Sequence, residues 1–577
     1  MTQDILIIGA TGVFGSRLAE RLAETGGFRL LLASRSLDRA TRFADTLSKS
    51  TGTGAALVPI ALDVAGDLAA ALKQHRPAIV VDCSGPFQSA DYSVPLAALE
   101  AGAHFVDLAD ARGYLLGFTA ALDAAFRAKD RVALAGASSS PALSAAAVAA
   151  LTRGWTRIDS IDIAIVPGGR SEVGEAAVGG ALSYCGREVP VIAAGRPGRA
   201  IGWGEVSHID MAGLGRRRVS PVETADAGLL SRLHPTASSI RFRAGLESRI
   251  EHWGMRALAG LVRSGLLRRP ERLAGLLQRA RRLTRLTTGS SGGMRVRVTG
   301  LDSQGRWTQA EWRLIARDND GPHVPPAPAA AAVRAILAGR EPAGARPALE
   351  LPLDAIEAEL AGRAITTARE VTRAKASLFE QAIGPEAFAA LPDTVRAFHD
   401  LDAPAVWSGR ANIEGAASLP ARFVARAFAM PSTASDVLLT VAVERRLSER
   451  DEVPDETWTR CFASASFRSN LSSPAPGVAF ERFAPFDFRI GLALSGSDLV
   501  YPVAGWRIGP LPLPLALAPR SVAREWQDDT GRFNFDVHLR LPIVGLLAHY
   551  RGWLLPRPAA DAEGERRCSG LSRQADA

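Results

Sequence analysis

A β-prone run leads straight into three glycines spaced three apart, and a helical pattern follows. Asp4 to Ile8 is apolar and extended, Gly9-Ala10-Thr11-Gly12-Val13-Phe14-Gly15 is a turn, and Ser16 opens the helix. Each glycine has its own task. Gly9 permits the tight turn, Gly12 lets the backbone approach a pyrophosphate, and Gly15 lets the helix pack on the strand. The helix N-terminus adds free N–H groups and the positive end of a dipole, which together suit a phosphate. Strand, glycine turn, helix and second strand in this order predict a dinucleotide-binding fold.

The next 140 residues keep the same rhythm. Apolar runs at 5–8, 28–33, 56–60, 78–81, 104–106 and 132–135 alternate with helical patterns at 14–24, 37–47, 68–74, 93–101, 114–127 and 142–151. Continuous apolar strands separated by helices predict a parallel sheet covered on both faces. The expected fold is α/β, a Rossmann doubly wound sheet over residues 1–153, and two further units are expected behind it. Residues 154–350 read as an α+β second domain for substrate or dimerisation, which makes a homodimer one expected assembly. Residues 327–339 form a helix returning to the first domain, and the Pro- and Ala-rich stretch 341–352 reads as a connection. Residues 377–556 carry short strands with frequent Gly and Pro and no βαβ rhythm, which predicts a β-rich domain. Residues 557–577 read as a polar tail.

The second strand ends at Ala33-Ser34-Arg35-Ser36, where an NAD site would place Asp or Glu on the ribose 2′-OH. Arg35 can pair with a 2′-phosphate, and Ser34 and Ser36 can donate to it. The expected cofactor is therefore NADP(H) rather than NAD(H). Asp63 and Val64 follow the third strand. There the carboxylate either accepts from the adenine amine or caps the next helix. After the fourth strand, Ser84, Gly85, Pro86 and Phe87 form a turn at the carboxyl edge of the sheet, with Phe87 as an apolar wall. Cys83 reads as a packing residue, because no histidine lies near it in sequence.

These motifs carry a family resemblance. GATGVFG, LASRS, LDV, CSGPF with YSVPLAALEAGAHFVDLAD, and GASSSPALS resemble, in order and spacing, the saccharopine dehydrogenase-like oxidoreductases. The resemblance implies an NADP-binding Rossmann domain followed by a mixed α/β domain. It places Gly9, Thr11, Gly12, Phe14, Ser34, Arg35, Ser84, Gly85 and Pro86 along the cofactor. Two departures fall where a substrate would sit. Ala109-Asp110-Ala111 stands where the family often has Gly-Glu. Gly136-Ala137-Ser138-Ser139-Ser140-Pro141 stands for its Gly-Phe-Asp-Ser-Val-Pro. Both point away from amino-acid substrates such as saccharopine. Members similar to this branch include reductases acting on lipid-like or unassigned substrates, so the resemblance implies a small-molecule or lipid-like substrate without identifying it. The stretches RAFHDLDAPAVWSGRANIEG, WTRCFASASFRS, ERFAPFDFRIGLAL and FNFDVHLRLPIVGLLAHYRGWL resemble a bacterial domain of unknown function, DUF4166-like, that recurs behind such reductases.

Hydride chemistry is largely the cofactor's, and the protein orients and protonates. The candidates for that work are Asp110 past a strand end, and Glu175 and Tyr184 in GRSEVGEAAVGGALSYCG. Their ordinary alternatives are a helix cap, a solvated charge and a packing ring. His399, His538 and His549 read as satisfied histidines. Trp458, Phe462, Phe467, Trp506, Trp526 and Trp553 read as filling a β core. Gly289 to Gly293 has the letters of G-x-S-x-G, but a strand follows it instead of a helix, so it reads as a loop.

No metal site is expected. Cys83, Cys185, Cys461 and Cys568 form no CxxC pair, and their scatter suits a reducing, cytoplasmic setting. The N-terminus shows no basic region with a separate apolar core, and no apolar run reaches about 18 residues.

The chain holds 68 Lys+Arg against 60 Asp+Glu, a net of +8 with a sequence pI near 9.8. Residues 249–286 hold ten Arg against Glu251 and Glu271, so this one helical stretch carries an excess equal to that of the whole chain. A nucleic-acid role is not expected, because no recognition module is present. Two readings stay open. The segment is either a lid with a solvated basic face, which is preferred, or an interfacial helix in peripheral contact with anionic lipid. For the whole protein, the first expectation is an NADP(H)-dependent oxidoreductase. The alternative is a non-catalytic NADP(H)-binding protein whose C-terminal domain binds a partner or lipid.

Overall fold

The computed structural model describes residues 3–51, 56–66, 68–448, 452–463 and 465–557. Within these, the side chains of Thr51, Glu175, Ala176, Arg282, Leu283, Leu286 and Val522 are not described. The tail expected at 557–577 lies, from residue 558 on, outside the described residues.

Three sheets follow one another along the chain. The first contains β1 (Gln3–Ile8), β2 (Phe28–Ser34), β3 (Ala56–Ala61), β4 (Ile79–Asp82), β5 (His104–Asp107) and β6 (Val132–Ala135). All of its pairings are parallel, in the order β3-β2-β1-β4-β5-β6. Ile5, Ile7, Val80 and Phe105 are fully buried, as expected of strands covered on both faces. The strand order reverses between β1 and β4, and the crevice beyond their carboxyl ends is where such a sheet takes a ligand.

A seventh strand corrects the reading of 341–352 as a connection. Gly344–Pro347 pairs in parallel with β6, in register Gly344↔Val132 to Pro347↔Ala135. Its proline and its four-residue length hide it in sequence, and both are tolerated because it is an edge strand. Gly344 takes a positive φ of 132°, and a Cβ there would lie 2.3 Å from Asp123 Oδ1.

The second sheet is mixed. Arg157–Val166 lies parallel to Ser239–Ala244 and antiparallel to Gly292–Leu301, with Trp307–Ala316 and Ile365–Arg373 beyond. One apolar core joins it to the first sheet, and the helix Ala327–Leu337 is buried between them. Its run of alanines is small enough for such close approach on every side. Buried hydroxyls also cross this junction. Ser140 and Ser144 both donate to Asp226, which lies at the start of the helix Asp226–Leu233.

The third sheet is antiparallel, with thirteen strands between residues 406 and 556. It is tied to the second sheet by Gln309, whose Nε2 donates to the Leu447 carbonyl at 3.0 Å. Gln309 Oε1 in turn accepts from the Leu447 N–H at 3.1 Å. Trp526 and Trp553 do not fill its interior. Each is half-buried under an arginine, Arg524 over Trp526 at 4.8 Å and Arg532 over Trp553 at 4.9 Å, while their neighbours Glu525 and Leu554 face inward. Alternation along a strand forces that split.

Candidate functional site

The glycine turn is built as the sequence implies. Gly9 has φ 73°, and its carbonyl accepts from the Gly12 N–H at 2.9 Å. A Cβ on Gly15 would lie 2.3 Å from the Gly9 carbonyl oxygen, so helix and turn meet backbone to backbone. Gly12 is different. It is exposed at the N-cap of Val13–Thr25, and a Cβ there would meet only the Gly9 carbonyl, at 3.2 Å. The turn is crowded beneath and open above, which is the shape that a pyrophosphate needs. Ala10 is buried, Val13 is half-buried, and Phe14 packs on the core beside the turn.

Ser34 lies at the end of β2, where its Oγ accepts from Thr11 Oγ1 at 3.3 Å and from the Ser36 N–H at 3.5 Å. Ser36 Oγ accepts from the Arg39 N–H at 3.4 Å, so it starts the following helix. Arg35 is exposed, and its guanidinium has neither an ion pair nor a hydrogen bond among the described residues. Asp63 is exposed, and its carboxylate accepts from the Ala65 N–H at 3.1 Å, closing its own turn, with Val64 half-buried beside it.

On the other side of the crevice, Ser84 donates to Asp82 Oδ1 through both its N–H, at 2.8 Å, and its Oγ, at 2.6 Å. This folds Ser84-Gly85-Pro86 over the end of β4. The ring of Phe87 is buried 5.9 Å from that of Tyr114, so it supports the loop from beneath. Burial raises the Cys83 thiol far above its ordinary value, with Asp82 and Asp107 adding to the shift. The group is therefore a neutral packing thiol. Asp107 is fully buried and accepts from the Gly136 and Ala109 N–H groups and from Tyr114 Oη, at 2.7, 3.0 and 2.9 Å. It links the loops after β5 and β6. Burial nevertheless pushes its carboxyl up to about 7.

A strap from the second domain crosses this crevice. Arg17 pairs with Glu172 at 3.2 Å. A Cβ on Gly174 would lie 3.7 Å from Val13 Cγ2, and one on Gly180 would lie 3.2 Å from Gln88 Nε2. The helix Glu175–Ser183 thus rests on the glycine turn and on the loop after β4, and it delivers Tyr184 to the crevice. Gln88 Nε2 donates to Asp110 Oδ1 at 3.2 Å. Asp110 is solvent-accessible, but the crowding protein raises its carboxyl, and the Glu223 charge adds to this. Burial raises the Tyr184 phenol as well, and the Asp110 and Glu223 charges raise it further, so it stays protonated. Asp110 lies within electrostatic reach of Tyr184, while the Glu175 side chain lies outside the described ones. Gln88 and Glu223 are the additional members. Gln88 follows the CSGPF motif directly, so its place in the sequence points to it. Glu223 stands in no motif.

Behind Tyr184, Trp203 packs edge-on against His252, with ring centroids 5.9 Å apart. His252 is buried. Its Nε2 bonds Ser220 Oγ at 3.1 Å, and its Nδ1 accepts from the Leu246 N–H at 3.4 Å. Protonating Nδ1 would lose that bond. Burial and the nearby Arg218 and His208 hold the imidazole down at about 4, against an ordinary 6.5. Between those two values the unfolded chain binds the extra proton, so stability falls as pH drops through that window. We expect His252→Asn to lose less stability than the parent protein between pH 6.5 and 4.5 in urea titrations. Identical losses would show that the imidazole is not held neutral.

The basic segment divides at Gly265 and Pro270 into Arg249–Arg263 and Ala274–Thr284. The first helix buries His252 and Ala259 against the second domain and is seated close to Gly186, where a Cβ would lie 2.5 Å from the Ala259 carbonyl. Its outer face leaves Ile250, Trp253 and Leu261 exposed, and Leu266 and Leu276 follow. No helix among the described residues is long and apolar enough to cross a membrane.

Comparison with known proteins agrees with this geometry. Residues 5–147 match the saccharopine dehydrogenase NADP binding domain. That match supports a nicotinamide dinucleotide as the ligand of the crevice and an NAD(P)-dependent oxidoreductase as the class of protein. Residues 391–554 match a domain of unknown function, DUF4166. No curated protein matches. Among solved structures, saccharopine dehydrogenase (L-Glu forming) from Saccharomyces cerevisiae is similar at 12% identity with a TM-score of 0.44, covering 64% of this chain and 100% of its own. A myo-inositol 2-dehydrogenase from Lactobacillus plantarum is similar at 10% identity with a TM-score of 0.28, covering 62% and 95%.

Proposed function

We propose that this protein is an NADP(H)-dependent oxidoreductase acting on a lipid-like small molecule at the edge of a membrane. The observation that carries the reading is the crevice itself, an open Gly12 turn and an Arg35 without a partner among the described residues, roofed by a strap that ends on Tyr184 within electrostatic reach of Asp110. The nicotinamide would supply hydride exchange with the substrate. Gly9, Gly12 and the N-terminus of Val13–Thr25 would hold the pyrophosphate, Arg35 with Ser34 and Ser36 the 2′-phosphate, and Ser84 to Pro86 the far wall. Tyr184, kept protonated by burial and by neighbouring carboxylates, would donate to oxygen charge developing on a carbonyl, and Gln88 would fix Asp110 beside it.

The lipid-like choice rests on the segment 249–276. Its outer face carries exposed Ile250, Trp253, Leu261, Leu266 and Leu276 among arginines, the composition of a helix lying in an anionic interface. That segment packs directly behind Tyr184 to Gly186. The cofactor preference is tested by titrating NADPH and NADH into the parent protein and Arg35→Ala. We expect NADPH to weaken by about 10- to 100-fold, as one to two charge-assisted pairs are lost, with NADH nearly unchanged. Equal losses for both would overturn the assignment of Arg35.

A further inference from the structure

The thirteen-stranded sheet is hollow. It encloses a cavity of about 390 Å³, within the span of small-molecule sites, to which strands from both halves of the sheet contribute. Along Phe533–Leu541 every second residue lines it, namely Phe533, Phe535, Val537, Leu539 and Leu541. The aromatic side chains that a filled core would consume are therefore partly spent on walls. Phe486 and Phe488 both stack on Trp506, with centroids 5.6 and 6.1 Å apart.

The charged groups in the cavity are already matched with one another or with neighbouring polar side chains. Glu525 accepts from His399 Nε2 and from Tyr501 Oη, both at 2.6 Å. Arg460 pairs with Glu481 at 3.4 Å and donates to Ser469 Oγ at 2.8 Å. Among the described lining residues Arg460 is the one arginine or lysine, against two carboxylates. A fatty-acid carboxylate would find no free cation and would meet two like charges. A hydroxyl end would instead find the carboxylate acceptors, and a carbonyl end the Ser521 hydroxyl.

One end of the sheet faces outward through apolar groups. Phe423 on the helix Leu419–Ala427, Leu511, and Ile543 at the turn before Gly545–Pro556 are 78%, 63% and 99% exposed. These share that end. Ser418 donates to the Val544 carbonyl at 3.0 Å, and Leu511 pairs with Ile508, which in turn pairs with the wall residue Phe486. Arg422, Arg426, Arg520 and Arg540 are exposed around them. An apolar rim ringed by arginines suits an anionic lipid surface.

We propose that the C-terminal sheet is a binding site for a neutral, single-chain lipid with an alcohol or carbonyl end, taken up from a membrane through this rim. The site does not depend on the redox reading, because it would fill whether or not the first domain transfers hydride. The test uses the full chain with N-phenyl-1-naphthylamine, an uncharged fluorophore, competed by 1-dodecanol or by dodecanoate at pH 7.5. We expect saturable fluorescence, displacement by dodecanol, and at least tenfold weaker displacement by dodecanoate. Val441→Trp, which fills the cavity, should weaken the probe at least tenfold while NADPH binding is kept. Ser521→Trp, at a half-buried lining position, serves the same purpose should Val441→Trp fail to fold. Absence of saturable binding, equal competition by the acid, or unchanged binding in a folded tryptophan variant would each overturn the proposal.

Discussion

Gly12→Val should abolish dinucleotide binding while leaving the protein folded. Gly12 is exposed at a helix N-cap with an ordinary extended backbone, φ −81° and ψ 172°, and only the Gly9 carbonyl stands near its missing Cβ. A valine there costs the fold little, but its methyl groups would occupy the space through which a pyrophosphate must reach the helix N–H groups. We expect a loss of at least about 100-fold in NADPH affinity, or about 2.7 kcal/mol, with the thermal transition within a few degrees of the parent. An unchanged affinity would mean that the ligand does not approach this turn.

Gly15→Val should behave in the opposite way. Its Cβ would lie 2.3 Å from the Gly9 oxygen and 2.9 Å from the Gly9 carbonyl carbon, both backbone atoms that cannot swing aside. The helix would have to leave the strand on which it packs. Overpacking typically costs about 1–3 kcal/mol and occasionally more, and rigid backbone on the far side puts this site at the upper end, so the first domain should lose much of its stability before any question of affinity arises. A Gly15→Val protein as stable as the parent in urea would show that helix and turn are not in backbone contact. The two glycines thus separate ligand access from folding within a single motif, which residue letters alone cannot do.

The first sheet was legible because its signals are local. A strand covered on both faces reads as one apolar run, and Gly9, Gly12 and Gly15 are spaced by the geometry of one turn. Arg35 was legible for the same reason, because it stands directly after β2. What escaped depends on contacts remote in sequence. The edge strand Gly344–Pro347 is defined by its partner β6, more than two hundred residues earlier, and its own letters spell a linker. The strap over the crevice is recognisable only once Gly180 is seen against Gln88, and Glu223 only once it is near Tyr184 and Asp110. The C-terminal aromatics show a further limit. Alternation separates the inward Phe535 from the outward Trp553, but a ring facing a packed core and a ring facing a cavity leave the same pattern in sequence. The charge is the reverse case. The net +8 suggests a property of the whole molecule, yet its excess lies in one segment, whose outer face proves both basic and apolar.

The central claim is that the crevice performs hydride transfer. The most direct test offers the full protein NADPH carrying deuterium at either face of C4, together with a panel of long-chain aldehydes and ketones, and measures the mass of the alcohols formed. The account predicts products one mass unit heavier from one of the two labelled faces only, with the signal lost in Gly12→Val. NADPH that binds tightly but delivers deuterium to no member of the panel, with dinucleotide unconsumed, would contradict it and leave a protein that binds the cofactor without using it.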